Sequence, residues 1–482
     1  MANWKKTLMA SSGGGADYFI NTVYRQGQRV RPFNLALDGS DNILVSGQYD
    51  YDGSGTSTGG MVYKLNGETG DLDWMKYQNY GNQSGGNVAY GCAADSSGNV
   101  YVTGYHGQST YTYIKGCVSK YNSSGALQWV RDYGDEGSNN FYIPTHIAVN
   151  GSNIVANGYR RYSGLGYYEG LNLGYNSSGT KQFDQRARLN SWDWYGTGTV
   201  FNSSGHWLEM HNGPNGGIND WDVEIRANTF ASSPSQQDLV RLSATGTQQR
   251  FQQHLNSGRQ LAVDSNDDML FGGEIFANTN DRAAVIGRYD VSSNSVAWSK
   301  KLVVVPDGST PTFKRSRTFA VSADSSNNIY ALIYVYNNDP NTRISYVLLK
   351  YNTFGTLQWA REIWHDNTTD YGYFQEQASM IVDSQDRIVL MMESYARVGS
   401  SNAYISTVFR LPNDGSLTGS YDCVRPFDYN TVSSSNIDVK STNFISGSTS
   451  ALLNYGAIGF SPYSPSVSSP NASGVSSTAT VI

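Results

Sequence analysis

The sequence predicts an all-β protein built as a β-propeller of seven four-stranded blades. Three observations carry that expectation: a strand–turn–strand pattern recurs seven times, its spacing is even, and two further strands follow each recurrence in the same order. The pattern reads LALDGSDNILVSG from Leu35, CAADSSGNVYVTG from Cys92, IAVNGSNIVANG from Ile147 and GTVFNSSGHWLEM from Gly198. It continues as LAVDSNDDMLFGG from Leu261, VSADSSNNIYALI from Val321 and MIVDSQDRIVLMM from Met380. Anchored on the turn residues Asp38, Asp95, Asn150, Asn202, Asp264, Asp324 and Asp383, the steps are 57, 55, 52, 62, 60 and 59 residues. These anchors number the repeat units from first to seventh.

The third strand of each unit is a short apolar run: MVYKLN at Met61, CVSKYN at Cys117, LNLGYN at Leu171, DLVRLS at Asp238, AVIGRYD at Ala284, VLLKYN at Val347 and TVFRLP at Thr407. A turn follows, usually with glycine, and then a fourth strand. Asn, Asp and Gly at these reversals supply the positive φ that tight hairpins need. Four of the fourth strands carry a tryptophan in register: Trp74, Trp129, Trp298 and Trp359. Seven blades follows from the count, and a six- or eight-bladed ring stays open.

The two ends complete the arrangement. Asn3-Trp4-Lys5-Lys6-Thr7-Leu8 matches the fourth-strand pattern of Ala297 to Leu302, with Trp4 in the tryptophan's place. A strap over about residues 1–10 is therefore expected to complete the last blade and remove an exposed sheet edge. Residues 1–430 read as the propeller. Residues 431–482, rich in Ser, Thr, Asn and Pro, read as an extended C-terminal arm.

Composition agrees and excludes alternatives. Charged residues are only 15% against about a quarter in average proteins, and 51 glycines and 35 tyrosines take their place. Disorder needs few aromatics and high net charge, and a helical span needs about 18 apolar residues in a row; neither occurs. The formal charge of −6 lacks the basic footprint of nucleic-acid binding. No apolar run follows Lys5 and Lys6, so no signal peptide is expected. Three cysteines make no disulfide scaffold. Cys92 and Cys117, on the first and third strands of one unit, are expected roughly 9–10 Å apart as packed thiols.

DSSGNVYVTGY at Asp95 resembles the core of the short bacterial β-propeller repeats. The other six units depart from it, so the resemblance implies the architecture alone. The MANWKK opening and the Gly/Ser/Asn/Tyr-rich composition resemble structural proteins of cyanophage-type bacteriophages. That resemblance implies a virion component of the tail or its fibres, made in the host cytoplasm, with other virion proteins in symmetric copy number as partners and a host surface glycan as a target.

Propeller geometry sorts the loops. The short turns after the first and third strands share one face. The loops after the second strands, and those between units, share the other, and these are long and aromatic. Function tends to sit on such loops. The candidate binding residues are Tyr105, Tyr111, Tyr113, Tyr159, Arg160, Arg161, Tyr167, Tyr168, Trp221, Tyr334, Tyr336, Trp364 and Tyr371, with Tyr133, Phe141, Tyr142 and Tyr373 on the same side. Tyrosine, tryptophan and arginine suit stacking on sugars or anchoring an interface. The fourth unit holds the longest insertion, His211 to Gln237.

Calcium needs six to eight oxygens. Asp50 with Asp52, and Asp264 with Asp267 and Asp268, offer clusters, yet turn chemistry accounts for them and neither fits an EF-hand. His206 and His211 lack further zinc ligands at useful spacing. No cofactor or metal is expected. Catalytic motifs are absent, and Glu209, Asp220, Asp222 and Glu224 form the one carboxylate cluster to inspect. The expectation is a non-enzymatic propeller; a lectin-like carbohydrate-binding propeller, or a polysaccharide-degrading one, is the alternative.

Overall fold

The computed structural model describes residues 19–24, 29–50, 58–78, 86–107, 113–134, 140–161, 166–187, 195–214, 221–231, 236–244, 250–252, 260–276, 281–293, 295–304, 314–337, 344–365, 373–398, 401–415, 419–421, 427–431, 437–441, 444–447 and 476–481. All regular elements among them are β-strands. The protein is an all-β propeller.

In the first unit Val30–Leu37, Ile43–Asp50, Thr58–Leu65 and Leu72–Gln78 pair antiparallel in chain order. The strands hydrogen-bond into five sheets, however, not seven separate blades. Short parallel contacts explain the merging. Tyr113–Tyr121 meets Asn140–Asn150 through two residue pairs, fusing the second and third units. Asp281–Asp290 meets Lys314–Ala323 in the same way, fusing the fifth and sixth.

One expectation about individual elements needs correction, and the two ends of the chain add strands of their own. The third strand of the fourth unit is Trp221–Asn228, and Gln236–Ala244, which includes DLVRLS, is the fourth. Asp222, Glu224 and Arg226 alternate with Val223, Ile225 and Ala227, so the supposed insertion is a period-two strand. The strand that completes the seventh unit is Phe19–Tyr24, paired with Ser401–Leu411. Trp4 and the strap proposed around it lie outside the described residues. The C-terminal segment adds short edge strands. Phe427–Thr431, Ile437–Ser441 and Phe444–Gly447 pair with the fourth strands of the sixth, fifth and fourth units, and Ser476–Val481 pairs with Phe19–Tyr24.

The turns after the first strands behave as their residues dictate. Asp38, Asp264, Asp324 and Asp383 each accept, on one carboxylate oxygen, backbone N–H groups two and four residues on. Asp41, Asp267, Asn327 and Asp386 sit at φ of 57° to 63°, where the second and fourth units use Gly98 and Gly205. Asn and Asp tolerate this left-handed region better than other side chains.

The blade tryptophans join neighbouring units. Nε1 of Trp74, Trp129, Trp298 and Trp359 donates to the carbonyls of Ser123, Ser177, Thr353 and Asn413 at 3.0–3.2 Å. Each carbonyl belongs to the next unit's turn between strands three and four. A Cβ on Gly125, Gly179, Gly355 or Gly415 would lie 2.7–2.9 Å from the facing indole, so glycine is required beneath each ring. Phe183 takes the position in the third unit, stacking on Trp207 at 5.7 Å and meeting Phe230 at 5.3 Å. In the seventh unit the ring is Phe19, fully buried, with Gly70 of the first unit beneath it.

Candidate functional site

The innermost strands bulge at one level, between Pro32 and Asn34, Ala89 and Gly91, Pro144 and His146, Gly196 and Gly198, and Thr318 and Ala320. A bulge re-aims the extra residue. In the first two units that residue is Phe33 and Tyr90, and their rings meet at 5.1 Å. Tyr90 in turn packs on Tyr105 at 5.7 Å. Burial, with Tyr105 beside it, pushes the Tyr90 phenol well above its ordinary value, so it remains protonated.

Arginines continue this aromatic run toward the seventh unit. Arg31 stacks over Phe33 at 5.9 Å and over Tyr404 at 5.2 Å, and exposed Arg29 covers the same Tyr404 at 5.1 Å. Arg31 is fixed by Glu393, Nε to Oε1 at 2.7 Å. Burial raises the pKa of the Glu393 carboxyl, and Arg31 only partly offsets it. On the other side, Tyr159, Tyr168 and Tyr195 form a triangle with centroids 5.2–5.7 Å apart. Arg161 lies over Tyr168 at 5.7 Å. Burial also raises the Tyr159 phenol, with Tyr105 as the next contributor, which links the two clusters electrostatically. The result is a belt of half-buried tyrosine rings around the buried Phe33, with guanidinium groups toward both ends.

The structure distributes the sequence candidates unevenly. Tyr105, Tyr159, Arg161 and Tyr168 lie in the belt. Tyr167 is half-buried beside Tyr168, and Tyr113 carries Lys115 over its ring at 5.9 Å. Arg160 is buried against Glu169, 2.6 Å away, and Tyr334 is buried among Phe319, Tyr346 and Arg317. Tyr133 and Tyr142 form a buried edge-on pair. Trp221, Tyr336 and Trp364 pair in register with Pro214, Arg315 and Ser345. Tyr111 and Tyr371 lie outside the described residues.

Sequence reasoning missed Arg29, Arg31, Phe33, Tyr90, Tyr195 and Tyr404. Arg31, Phe33, Tyr90, Tyr195 and Tyr404 lie in strands, and Arg29 bridges to Tyr404, instead of lying in the long loops; for Arg31 and Phe33 the run VRPFN after a unit connection was the available signal.

Of the other candidate clusters, Asp52 and Asp220 lie outside the described residues, and the members that are described have partners of their own. Asp264 and Asp268 both hold Arg288, at 2.7 and 2.9 Å. Among the described residues no three metal-ligating side chains converge. Glu209 is buried and takes hydrogen bonds from Asn172 and Asn228, with His211 Nε2 at 2.7 Å. His206 donates its backbone N–H to Asn202. Cys92 and Cys117 are buried thiols.

No family model matches the chain. No curated protein matches it either. Solved structures do. One is a polysaccharide lyase of family PL25, an ulvan lyase, solved alone and bound to -[GlcA(1-4)Rha3S]-. It is 11% identical, with a TM-score of 0.42, over 81% of this chain and 96% of that one. Another is the native arabinanase of Bacillus subtilis, 13% identical with a TM-score of 0.28, over 54% of this chain and 92% of that one. These likenesses concern the fold. They also correct one expectation: the neighbours are enzymes, so the reading of a non-enzymatic propeller is withdrawn. The virion reading gains no support from them.

Proposed function

We propose that the chain is a seven-bladed carbohydrate-binding propeller that holds a polysaccharide along its ring-and-arginine belt. The observation that carries this reading is the chain of contacts Tyr404–Arg31–Phe33–Tyr90–Tyr105, continued by Tyr159, Tyr168, Tyr195 and Arg161. Stacked rings offer apolar faces to the C–H faces of sugars. The guanidinium groups offer N–H donors in a fixed fork to hydroxyl, carboxylate or sulfate oxygens. Both kinds of group are already immobilised by their neighbours, which lowers the entropy cost of binding.

The seven repeat anchors, and the pairing of four strands in each unit, support the reading of seven blades. The test is affinity electrophoresis of the full chain in gels containing neutral or acidic polysaccharides, with reducing-end release followed in parallel incubations. Retardation by at least one polysaccharide, weakened in Tyr168→Ala and in Arg31→Ala, is the expected result. Turnover in the parallel incubation would make the same belt a catalytic subsite. Uniform migration in all gels, with no turnover, refutes the reading.

A further inference from the structure

Aromatic rings fill the unit junctions in a regular way: Trp74, Trp129, Phe183, Trp298 and Trp359 at five of them, and Phe19 between the seventh and first units. The junction between the fourth and fifth units differs. Gln237 stands opposite Ala227 there, in the register position where Trp129 stands opposite Lys120. Ala227 therefore also replaces a cation. Lys120, Arg288 and Lys350 reach the carbonyls of Ser177, Thr353 and Asn413 at 3.2–3.3 Å, the same carbonyls that receive the indole N–H groups. The equivalent carbonyl belongs to Val291, two residues beyond Tyr289 as Ser177 is two beyond Tyr175. No described side chain donates to it.

A cleft of about 340 Å³ opens where the ring and the cation would lie. Leu208, Ala227 and Val291 give it an apolar side; His206, Asn266 and Ser292 give it a polar one. In two other junctions the counterparts of Leu208, Leu44 and Leu270, belong to the clusters against which Trp74 and Trp298 pack. The fifth unit's turn carries Val291, Ser292 and Ser293 with no glycine, as expected where no ring of the chain's own must be accommodated.

We propose that this cleft binds a small planar aromatic molecule with an N–H donor, of the indole type. Its ring takes the tryptophan's place and its N–H meets the Val291 carbonyl. The volume is within the range of small-molecule sites. The cleft lies on the short-turn face, opposite the aromatic belt, so it stands independently of the carbohydrate reading.

The test is calorimetric titration of the full chain with indole, and with N-methylindole, which lacks the donor. Indole is expected to bind at one site and N-methylindole about tenfold more weakly, as the loss of one hydrogen bond implies. Gln237→Trp is expected to fill the cleft and abolish binding. If that variant fails to fold, Ala227→Leu narrows the cleft from the opposite strand and serves the same purpose. Absence of indole binding, or binding undiminished in the filled variant, overturns the proposal; equal binding of N-methylindole overturns the role of Val291.

Discussion

Ser384 gives both of its donors to Asp41: its backbone N–H lies 3.2 Å from Oδ1 and its hydroxyl 2.5 Å from Oδ2, across 343 residues of sequence. The same latch joins Ser203 to Asp267, Ser265 to Asn327 and Ser325 to Asp386. Ser384 and Asp41 belong to the seventh and first units, so this copy of the latch closes the ring.

The Asn327 copy shows that an amide can serve, since both Ser265 donors reach its Oδ1. Asp41→Asn is therefore expected to leave stability close to that of the parent. Asp41→Ala loses the acceptors and places alanine at a φ of 57°; the expected cost is about 1–3 kcal/mol. Urea unfolding of the two variants checks this. Equal loss in both would show that charge, not hydrogen bonding, is what matters.

Phe19 and Gly70 form the second closing contact. A Cβ on Gly70 would lie 2.5 Å from the Phe19 ring, and the backbone φ there is +71°. Phe19→Ala is expected to cost about 3–5 kcal/mol, the range for emptying an aromatic site in a core. Gly70→Ala alone is also destabilising, but the double variant should lose less than the sum, because removing the ring relieves the clash. Additive losses in a thermal-melt cycle would contradict the contact.

Glu68 sets a pH dependence. Hydrogen bonds from Arg387, at 3.2 and 3.4 Å, hold its carboxyl below the ordinary value of 4.5, and the nearby charges of Arg387 and Arg410 reinforce this. A lowered pKa means that the contribution to stability is full above the unfolded-state value and disappears as pH falls through the folded-state value. The parent should melt above Glu68→Gln at pH 6, and the gap should narrow as pH falls below the ordinary value of 4.5 and close below the lowered folded-state value. Because Glu68 is 61% exposed, salt should shrink the difference. A gap unchanged from pH 6 to pH 3 would exclude the ion pair as its source.

Belt and core tyrosines should separate by assay. Tyr168→Ala is expected to weaken polysaccharide retention about tenfold with little change in melting temperature, as stacking losses of 1–2 kcal/mol imply. Tyr334→Ala, which removes a ring that is 1% exposed, should instead lower the melting temperature. Loss of binding in both at unchanged stability would argue against the belt.

Local, periodic features were legible in the chain. Asp38, Asp324 and their equivalents hydrogen-bond within five residues, so each turn states its own geometry. The in-register tryptophans recur because the junctions they fill pose the same packing problem. The belt was legible only in part: Tyr105, Tyr159, Arg161 and Tyr168 stood out, whereas Arg31, Phe33 and Tyr90 did not, since their direction depends on bulges that only strand pairing reveals.

The sequence alone established an all-β repeat architecture, its turn chemistry and the register of Trp74, Trp129, Trp298 and Trp359 on the fourth strands. Only the tertiary structure showed that Phe19 fills the junction between the seventh and first units. It also decided that Arg31 meets Glu393 and Tyr404 from the far end of the chain, and that the fourth junction holds a cleft where others hold a ring. The physical reason is the same in each case. Periodicity encodes contacts that repeat between neighbours in sequence, while ring closure and strand register bring together residues hundreds of positions apart.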